Sequence, residues 1–231
     1  MTFPPPILTR RALLRVITSA GAVATAATLS ACGTSQRPSA VPGPSATAVS
    51  GTLVMIIRHG EKPDASSRGV DMNGNPTAGG SLTQAGWNRA RALVEVFAPA
   101  NGHLRPGLAR PRMIYAAGAT EGGSGERARE TVTPLAQRLG IPVNTRFGKG
   151  EEQALAAQIT AQPGPTLICW QHGEIPAITQ AFGSLTPAPP ATWPADRFDV
   201  IWTLTAHERG WVFSQPPEMV LPGDQSRTIT K

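Results

Sequence analysis

Two short apolar runs, each followed closely by the tripeptide His-Gly-Glu, constrain the fold of this chain more than any other feature. The first run covers residues 53–57 and leads through Arg58 into His59-Gly60-Glu61. The second covers residues 166–170 and leads into His172-Gly173-Glu174. Such runs are typical of strands buried on both faces of a parallel sheet. The carboxyl ends of parallel strands lie at the same edge of a sheet, and ligands bind there. The sequence therefore predicts that both histidines lie at one edge of one sheet.

The rest of the chain after residue 51 alternates between strand and helix patterns. Helices are predicted from apolar periodicity and capping residues, and strands from short apolar runs. The predicted helices cover residues 83–97, 126–139, 151–161 and 175–182, and the further strands cover residues 113–117, 141–143, 198–204 and 211–213. Residues 64–80 are polar and glycine-rich and are predicted to form a long loop. This alternation predicts a layered α/β domain with a mainly parallel sheet.

The N-terminal residues have the pattern of an export signal. Arg10 and Arg11 precede a weakly apolar run over residues 16–29, which is shorter than the roughly 20 residues that span a bilayer. The arginine pair resembles the motif of signal peptides that use the twin-arginine export route. The sequence Leu-Ser-Ala-Cys, which ends at Cys32, resembles the lipobox of bacterial lipoproteins. This resemblance implies cleavage before Cys32, lipid attachment to its thiol and a membrane anchor outside the cytoplasm.

These patterns divide the chain into a signal peptide over residues 1–31, a flexible Pro/Ser/Ala tether over residues 32–51 and a folded domain over residues 52–231. Loss of the three signal arginines lowers the net charge from +6 to +3, so the basic composition does not indicate nucleic-acid binding. The five tryptophans are scattered and are expected in the core or at its rim. With Cys32 lipidated, Cys169 has no partner for a disulfide and is predicted to be a buried thiol.

Four charged or titratable residues away from the strand ends are expected at the surface. His103 and His207 stand in polar surroundings in the sequence. Arg89 and Arg91 belong to the first predicted helix, and we expect both to be solvated. None of the four is assigned a role in a site.

Several side chains at the predicted sheet edge suit the binding of an anion and its chemistry. Arg58 offers a planar fork of donors for phosphate or carboxylate. His59 can act as a nucleophile, provided that it is neutral and that its other ring nitrogen donates to a fixed acceptor such as a backbone carbonyl. Arg127 opens a helix after a strand and can point its fork at an anion over that helix N-terminus. We expect Glu61 to pair with Lys62 or Arg58 instead of acting as an acid catalyst.

Four motifs in order, between residues 53 and 178, resemble those of the histidine phosphatase superfamily: Arg58-His59-Gly60, Leu82-Thr83-x-x-Gly86-x-x-Arg89-Ala90, Arg127-Ala128-x-x-Thr131 and His172-Gly173. The resemblance implies a phosphoglycerate-mutase-like fold, which is a three-layer sandwich with a mainly parallel sheet flanked by helices. It also implies that His59 accepts the phosphoryl group. Arg58, Arg127 and His172 would complete the phosphate pocket. Arg129 is the alternative to Arg127, but the Arg-Ala-x-x-Thr spacing favours Arg127.

The proton donor for the leaving group has two candidate positions. The acid-phosphatase branch of the superfamily places its donor just after the second histidine, where Glu174 stands here. The mutase-like branch uses a glutamate from the region after the second arginine motif, where Glu151 and Glu152 stand. We favour Glu174.

The sequence therefore predicts an exported, lipid-anchored phosphomonoester hydrolase that acts on a small phosphorylated substrate, without a metal or another cofactor. Two guanidinium groups and a histidine can stabilise the transferred phosphoryl group electrostatically. A non-catalytic lipoprotein that binds phosphate or another anion is the main alternative. A metal site built from the two His-Gly-Glu tripeptides is a further alternative, although Arg58 would repel the cation.

Overall fold

The structure is a computed structural model that describes residues 51–119, 125–162 and 164–230. Within these residues the chain forms seven strands and four helices. The strands are β1 (Leu53–Arg58), β2 (Met113–Ala116), β3 (Val143–Asn144), β4 (Thr166–Trp170), β5 (Leu185–Thr186), β6 (Ile201–His207) and β7 (Gly210–Ser214). The helices are α1 (Gln84–Phe97), α2 (Glu126–Leu139), α3 (Glu152–Thr160) and α4 (Ile175–Ala181).

All seven strands belong to one sheet, in the order β3-β2-β4-β1-β6-β7-β5. Strands β3, β2, β4 and β1 run parallel to one another. Strand β6 lies antiparallel to both β1 and β7, and β5 pairs parallel with β7. The prediction of a mainly parallel sheet is therefore confirmed.

Helices cover the sheet in two pairs. The connections from β1 to β2 and from β2 to β3 move along the sheet in one direction, and those from β3 to β4 and from β4 to β5 move in the other. Right-handed crossovers then place α1 and α2 on one face and α3 and α4 on the opposite face. The helices contact each other in these same pairs, α1 with α2 and α3 with α4. This arrangement is the three-layer α/β architecture that was predicted.

The change of direction creates a crevice between two neighbouring strands. The chain leaves β1 toward the face that carries α1, and it leaves β4 toward the face that carries α4. In open α/β sheets, ligands bind outside the carboxyl ends of the strands at this kind of switch point. The two His-Gly-Glu tripeptides therefore lie where the topology favours a site.

The core confirms most of the predictions made for single elements. Every residue of β4 is buried, and so are five of the six residues of β1. The five tryptophans are buried, His103 and His207 are exposed, and Cys169 is a free, buried thiol.

Several predicted strand boundaries differ from the structure by one to three residues. Strand β6 begins at Ile201 and not at residue 198, because Asp199 bonds to the C-terminal segment instead of to β1. The short strand β5 (Leu185–Thr186) was not among the predicted strands.

The predicted signal peptide, the lipidated Cys32 and almost all of the tether lie outside the described residues. The same holds for residues 120–124, which belong to a glycine-rich stretch of the sequence between residues 118 and 125. Across the described residues, no helix combines the length and the apolar character needed to cross a membrane.

Candidate active site

The ends of β1 and β4 bring the two predicted histidines to one place. Residue pairing between these strands runs from Val54 with Thr166 to Arg58 with Trp170. Just beyond it, the backbone N–H of His59 donates to the carbonyl of Trp170 at 3.0 Å. The charges of Arg58, Arg127 and His172 all act to lower the pKa of His59, which places the four side chains in one cluster.

His59 is held as a neutral imidazole. Its side chain is buried, and Nδ1 lies 2.7 Å from the carbonyl oxygen of Gly60. Because a carbonyl only accepts, Nδ1 carries the proton and Nε2 keeps its lone pair. Burial, reinforced by the neighbouring cations, lowers the pKa of His59 to about 3. The predicted backbone acceptor for the second ring nitrogen is therefore confirmed.

The guanidinium group of Arg58 is held by hydrogen bonds through one nitrogen, and its other two nitrogens have no hydrogen-bond partner among the described residues. Its Nη1 donates to the carbonyls of Ala195 at 2.6 Å and Arg197 at 3.0 Å, and its Cζ lies 3.7 Å from the ring centroid of Phe198. Its Nε and Nη2 are buried and have no acceptor in the part of the chain that the structure describes. Burial lowers the pKa of Arg58 to about 10, so it stays cationic at neutral pH.

Arg127, and not Arg129, reaches the cluster. Arg127 lies in the first turn of α2, where its Nη1 donates to the carbonyl of Gly80 at 3.1 Å. Its Nε is buried and has no acceptor among residues 51–119, 125–162 and 164–230. Arg129 is exposed and lies 3.9 Å from Glu126. The arginine favoured by the Arg-Ala-x-x-Thr spacing is therefore the one whose charge acts on His59.

The same motif locks α2 to the loop after β1. The backbone N–H of Gly60 donates to Thr131 Oγ1 at 2.8 Å, and this hydroxyl donates to the carbonyl of Arg127 at 2.7 Å. A side chain at Gly60 would place its Cβ 3.0 Å from the backbone of Gly86 in α1. Gly60 is required because both helices approach the loop this closely.

Arg89 is the centre of a buried charge network that sequence reasoning missed. Its Nε and Nη2 bind Glu61 Oε1 at 3.0 and 2.9 Å, and its Nη1 binds Glu218 Oε2 at 2.7 Å. Its Nη2 also reaches Asp224 Oδ1 at 2.8 Å. Burial raises the pKa of Glu218 to about 8, against the opposing attraction of Arg89.

Two expectations are therefore wrong. Arg89 is 3% exposed and not solvated, because three carboxylates from two distant segments converge on its fork. Glu61 pairs with this arginine and not with Lys62 or Arg58. Arg91, in contrast, is exposed as expected. The only sequence signal for Arg89 was its place in the Leu-Thr-x-x-Gly-x-x-Arg-Ala motif.

His172 faces the cluster from the end of β4. Its Nδ1 is buried without a partner in the described residues. Burial and the charges of Arg58 and Lys62 lower the pKa of His172, and Glu174 opposes them. An anion beside His172 would act in the same direction as Glu174 and favour the protonated ring.

The candidate acids differ in their surroundings. Glu174 forms an ion pair with Lys149 at 2.6 Å, and its charge acts on the neighbouring His172. Glu151 and Glu152 each accept a hydrogen bond from a backbone amide of the 148–150 loop. Of the three carboxylates, Glu174 is the one whose charge acts on a residue of the cluster.

The charges around the site favour an anion over a cation. No group of three or more His, Cys, Asp or Glu side chains is placed to hold a metal ion within the described ranges. The two carboxylates of the His-Gly-Glu tripeptides are occupied by cations, Glu61 by Arg89 and Glu174 by Lys149. The positive charge around the pocket therefore comes from the two arginines, Arg58 and Arg127.

Comparisons with known proteins found similarity among solved structures alone. No family model and no curated protein matches the chain. A protein histidine phosphatase, SixA, complexed with tungstate is 16% identical with a TM-score of 0.47, over 72% of this chain and 97% of that chain. The ecdysone phosphate phosphatase of Bombyx mori, also with tungstate, is 13% identical with a TM-score of 0.46, over 78% and 97%. A mycobacterial glucosyl-3-phosphoglycerate phosphatase with VO3 is 16% identical with a TM-score of 0.45, over 71% and 97%.

Proposed function

We propose that this protein is a phosphomonoester hydrolase that works through a phosphohistidine on His59. One observation carries the proposal: buried nitrogens of Arg58, Arg127 and His172 have no partner in the described residues and surround a neutral His59. A buried donor without an acceptor costs about 1–3 kcal/mol. An oxyanion with several oxygens would supply these acceptors at once, and a phosphoryl group does so beside a nucleophile.

The chemistry follows from the roles of these atoms. His59 Nε2 attacks phosphorus, the bond from phosphorus to the ester oxygen breaks, and a phosphohistidine forms. The guanidinium groups of Arg58 and Arg127 stabilise the charge on the equatorial oxygens. Water then attacks the phosphohistidine and releases phosphate together with the free imidazole. These cations can stabilise the transferred group without a metal.

Glu174 is the proposed proton donor to the leaving oxygen. Its charge acts on His172, so it lies beside the pocket, whereas Glu151 and Glu152 are bound to their own loop. After the ester bond has broken, the same carboxylate can accept the proton of the attacking water.

The proposed location is the cell envelope, with the domain anchored to a membrane by lipid on Cys32. The twin arginines and the Leu-Ser-Ala-Cys sequence support it. Mutase chemistry on glycolytic intermediates is disfavoured there because those substrates are cytosolic. The proposal is therefore hydrolysis of a small phosphomonoester outside the cytoplasm.

The test is hydrolysis of aryl phosphates by the purified chain from about pH 4 to 8 in excess EDTA. We expect turnover that survives the chelator and falls at least about 1,000-fold in His59→Ala, because the nucleophile is lost. Arg127→Gln should lower kcat by about 100- to 1,000-fold, as for one donor to a developing anion. Arg129→Gln, the matched control on the same helix turn, should leave kcat unchanged.

Three outcomes would contradict the proposal. Turnover that is lost in EDTA would favour the metal site of two His-Gly-Glu tripeptides. Full activity in His59→Ala would remove the proposed nucleophile. Phosphate binding without turnover, in a protein shown to be folded, would favour the non-catalytic anion-binding lipoprotein.

A further inference from the structure

A cleft of about 580 Å³ adjoins the candidate active site. It is formed by the loop after β1, the first turn of α1 and the segment that precedes β6. Its size lies within the 300–1,000 Å³ typical of sites for small molecules. The cleft therefore has room for an organic group larger than the phosphate itself.

The cleft and the phosphate pocket share walls. Glu61 and Lys62, which follow His59 and Gly60 directly, line the cleft. Phe198 lines it as well, while its ring stacks on the guanidinium of Arg58 and lies edge-on to the imidazole of His59 at 6.4 Å between centroids. A group joined to a phosphoryl oxygen in the pocket would extend into this cleft.

Part of the cleft wall is apolar. Val70, Ala85, Ala195 and Phe198 contribute to it, and the exposed surface of the cleft is mainly apolar. Apolar walls favour a leaving group with an apolar body, such as an aromatic ring.

Two cations of the cleft are free to act on a ligand. Lys62 and Arg68 are exposed, and neither has a carboxylate within salt-bridge distance in the described part of the chain. Lys62 lies three residues after His59 in the chain, and its charge acts to lower the pKa of His172.

The two carboxylates of the cleft are already engaged. Glu61 is paired with Arg89. Asp64 accepts hydrogen bonds from the amides and hydroxyls of Ser66 and Ser67, which lower its pKa to about 2. Asp64 keeps its negative charge, and the two positive charges of Lys62 and Arg68 outweigh it.

We propose that this cleft is the leaving-group subsite, and that it selects small phosphomonoesters whose leaving group joins an apolar body to a second negative charge such as a carboxylate. This inference rests on the proposed phosphatase function. It assigns the apolar body to the wall at Ala85 and Phe198, and the second charge to Lys62 and Arg68.

The charge is tested with phenyl phosphate and 4-carboxyphenyl phosphate, hydrolysed by the full chain. We expect the double variant Lys62→Gln/Arg68→Gln to lower kcat/KM for the carboxylated ester about fivefold through KM, because exposed pairs contribute modestly. The readout is the ratio of kcat/KM between the two esters, because the charge of Lys62 also acts on His172 and its loss acts on both substrates through that ring. Arg209→Gln is the matched control, since the β6–β7 turn lies at the opposite edge of the sheet. About 1 M salt should weaken the wild-type preference by screening.

The apolar wall is tested by filling the cleft. Ala85 is exposed in the first turn of α1, so Ala85→Trp is compatible with the helix. We expect kcat/KM for naphthyl phosphate to fall about tenfold through KM, while the small substrate acetyl phosphate is unaffected. Ala157→Trp, at an exposed alanine of α3, is the matched control and should change neither substrate.

The outcomes separate this inference from the proposed function. Suppose that turnover depends on His59, but that the carboxylate does not improve the substrate and neither the double variant nor Ala85→Trp distinguishes between the paired substrates. The subsite proposal is then overturned, and the proposed phosphatase function stands. If no substrate is turned over in a His59-dependent way, the proposed function fails, and the subsite fails with it. A preference that survives both sets of variants would place the leaving group elsewhere.

Discussion

At the scale of single residues, burial decides what His59 can do. An exposed imidazole titrates near pH 6.5 and would be partly protonated in mildly acidic surroundings. His59 is 3% exposed and surrounded by cations, and its pKa lies at about 3. The ring therefore stays neutral across most of the acidic range, with the proton on Nδ1 facing the Gly60 carbonyl and the lone pair on Nε2.

The same shift makes the stability of the fold depend on pH. The unfolded chain binds a proton on His59 below about pH 6.5, and the folded chain does not until about pH 3. Stability from this residue is therefore present at neutral pH and lost as the pH falls. We expect His59 to lower the free energy of unfolding by up to about 1.4 kcal/mol per pH unit below 6.5.

Urea unfolding of the wild type and His59→Gln between pH 4.5 and 7 measures this effect. The variant should show a shallower loss of stability toward acid, whatever its stability at neutral pH. His103→Gln, at an exposed histidine, should keep the wild-type slope. Identical slopes for all three proteins would contradict the buried, neutral state of His59.

At the scale of elements, helix α1 holds the loop that carries His59. Thr83 caps the helix through its side chain, which accepts from the Gly86 N–H, and its own N–H donates to the carbonyl of Glu61 at 2.9 Å. One helical turn further on, Arg89 binds the Glu61 carboxylate. The helix thus contacts both the backbone and the side chain of the segment just after the nucleophile.

Arg89→Met should be strongly destabilising because it leaves three carboxylates, from Glu61, Glu218 and Asp224, without their shared cation. Loss of one partner of a buried ion pair costs about 3–5 kcal/mol. We expect a loss of this size in denaturant unfolding. Arg91→Met, two residues away on the exposed face, should change stability by less than about 0.5 kcal/mol. Equal effects of the two variants would contradict the buried network.

Local signals explain which elements were predictable. Helices α1 and α2 were placed within about a residue because Thr83 and Gly140 mark their ends and apolar residues repeat at helical spacing. Strand β4 was predictable as a continuous apolar run. Arg89 was not, because two of its partners lie more than 120 residues away and no local pattern reports them. Phe198 was expected in a strand but packs on Arg58. This contact also joins residues that are far apart in the sequence, so no local pattern reports it.

At the scale of the whole molecule, the sheet order explains why the site could be predicted at all. Each His-Gly-Glu tripeptide follows a parallel strand, and β1 and β4 are neighbours at the switch point. The other half of the sheet, formed by β6, β7 and β5, was predictable only as two closing strands. Its order depends on tertiary pairing that hydrophobic runs do not encode.

The N-terminal segment makes a separate prediction about where the molecule resides. If Cys32 carries the lipid, Cys32→Ser removes the anchor and the domain should appear in the soluble fraction after cell lysis. The wild type should remain in the membrane pellet after a carbonate wash. A Cys32→Ser protein that stays in the washed pellet would contradict the lipoprotein assignment and leave the proposed chemistry unaffected.

The most direct test of the central claim is to trap the phosphoenzyme. The chain is mixed with an aryl phosphate labelled in its phosphoryl group, quenched in alkali within milliseconds to seconds and mapped by peptide. If His59 carries the phosphoryl group, we expect an alkali-stable, acid-labile label on the peptide that contains His59, and no label in His59→Ala. A label on His172, or steady hydrolysis with no labelled peptide at any time, would contradict it.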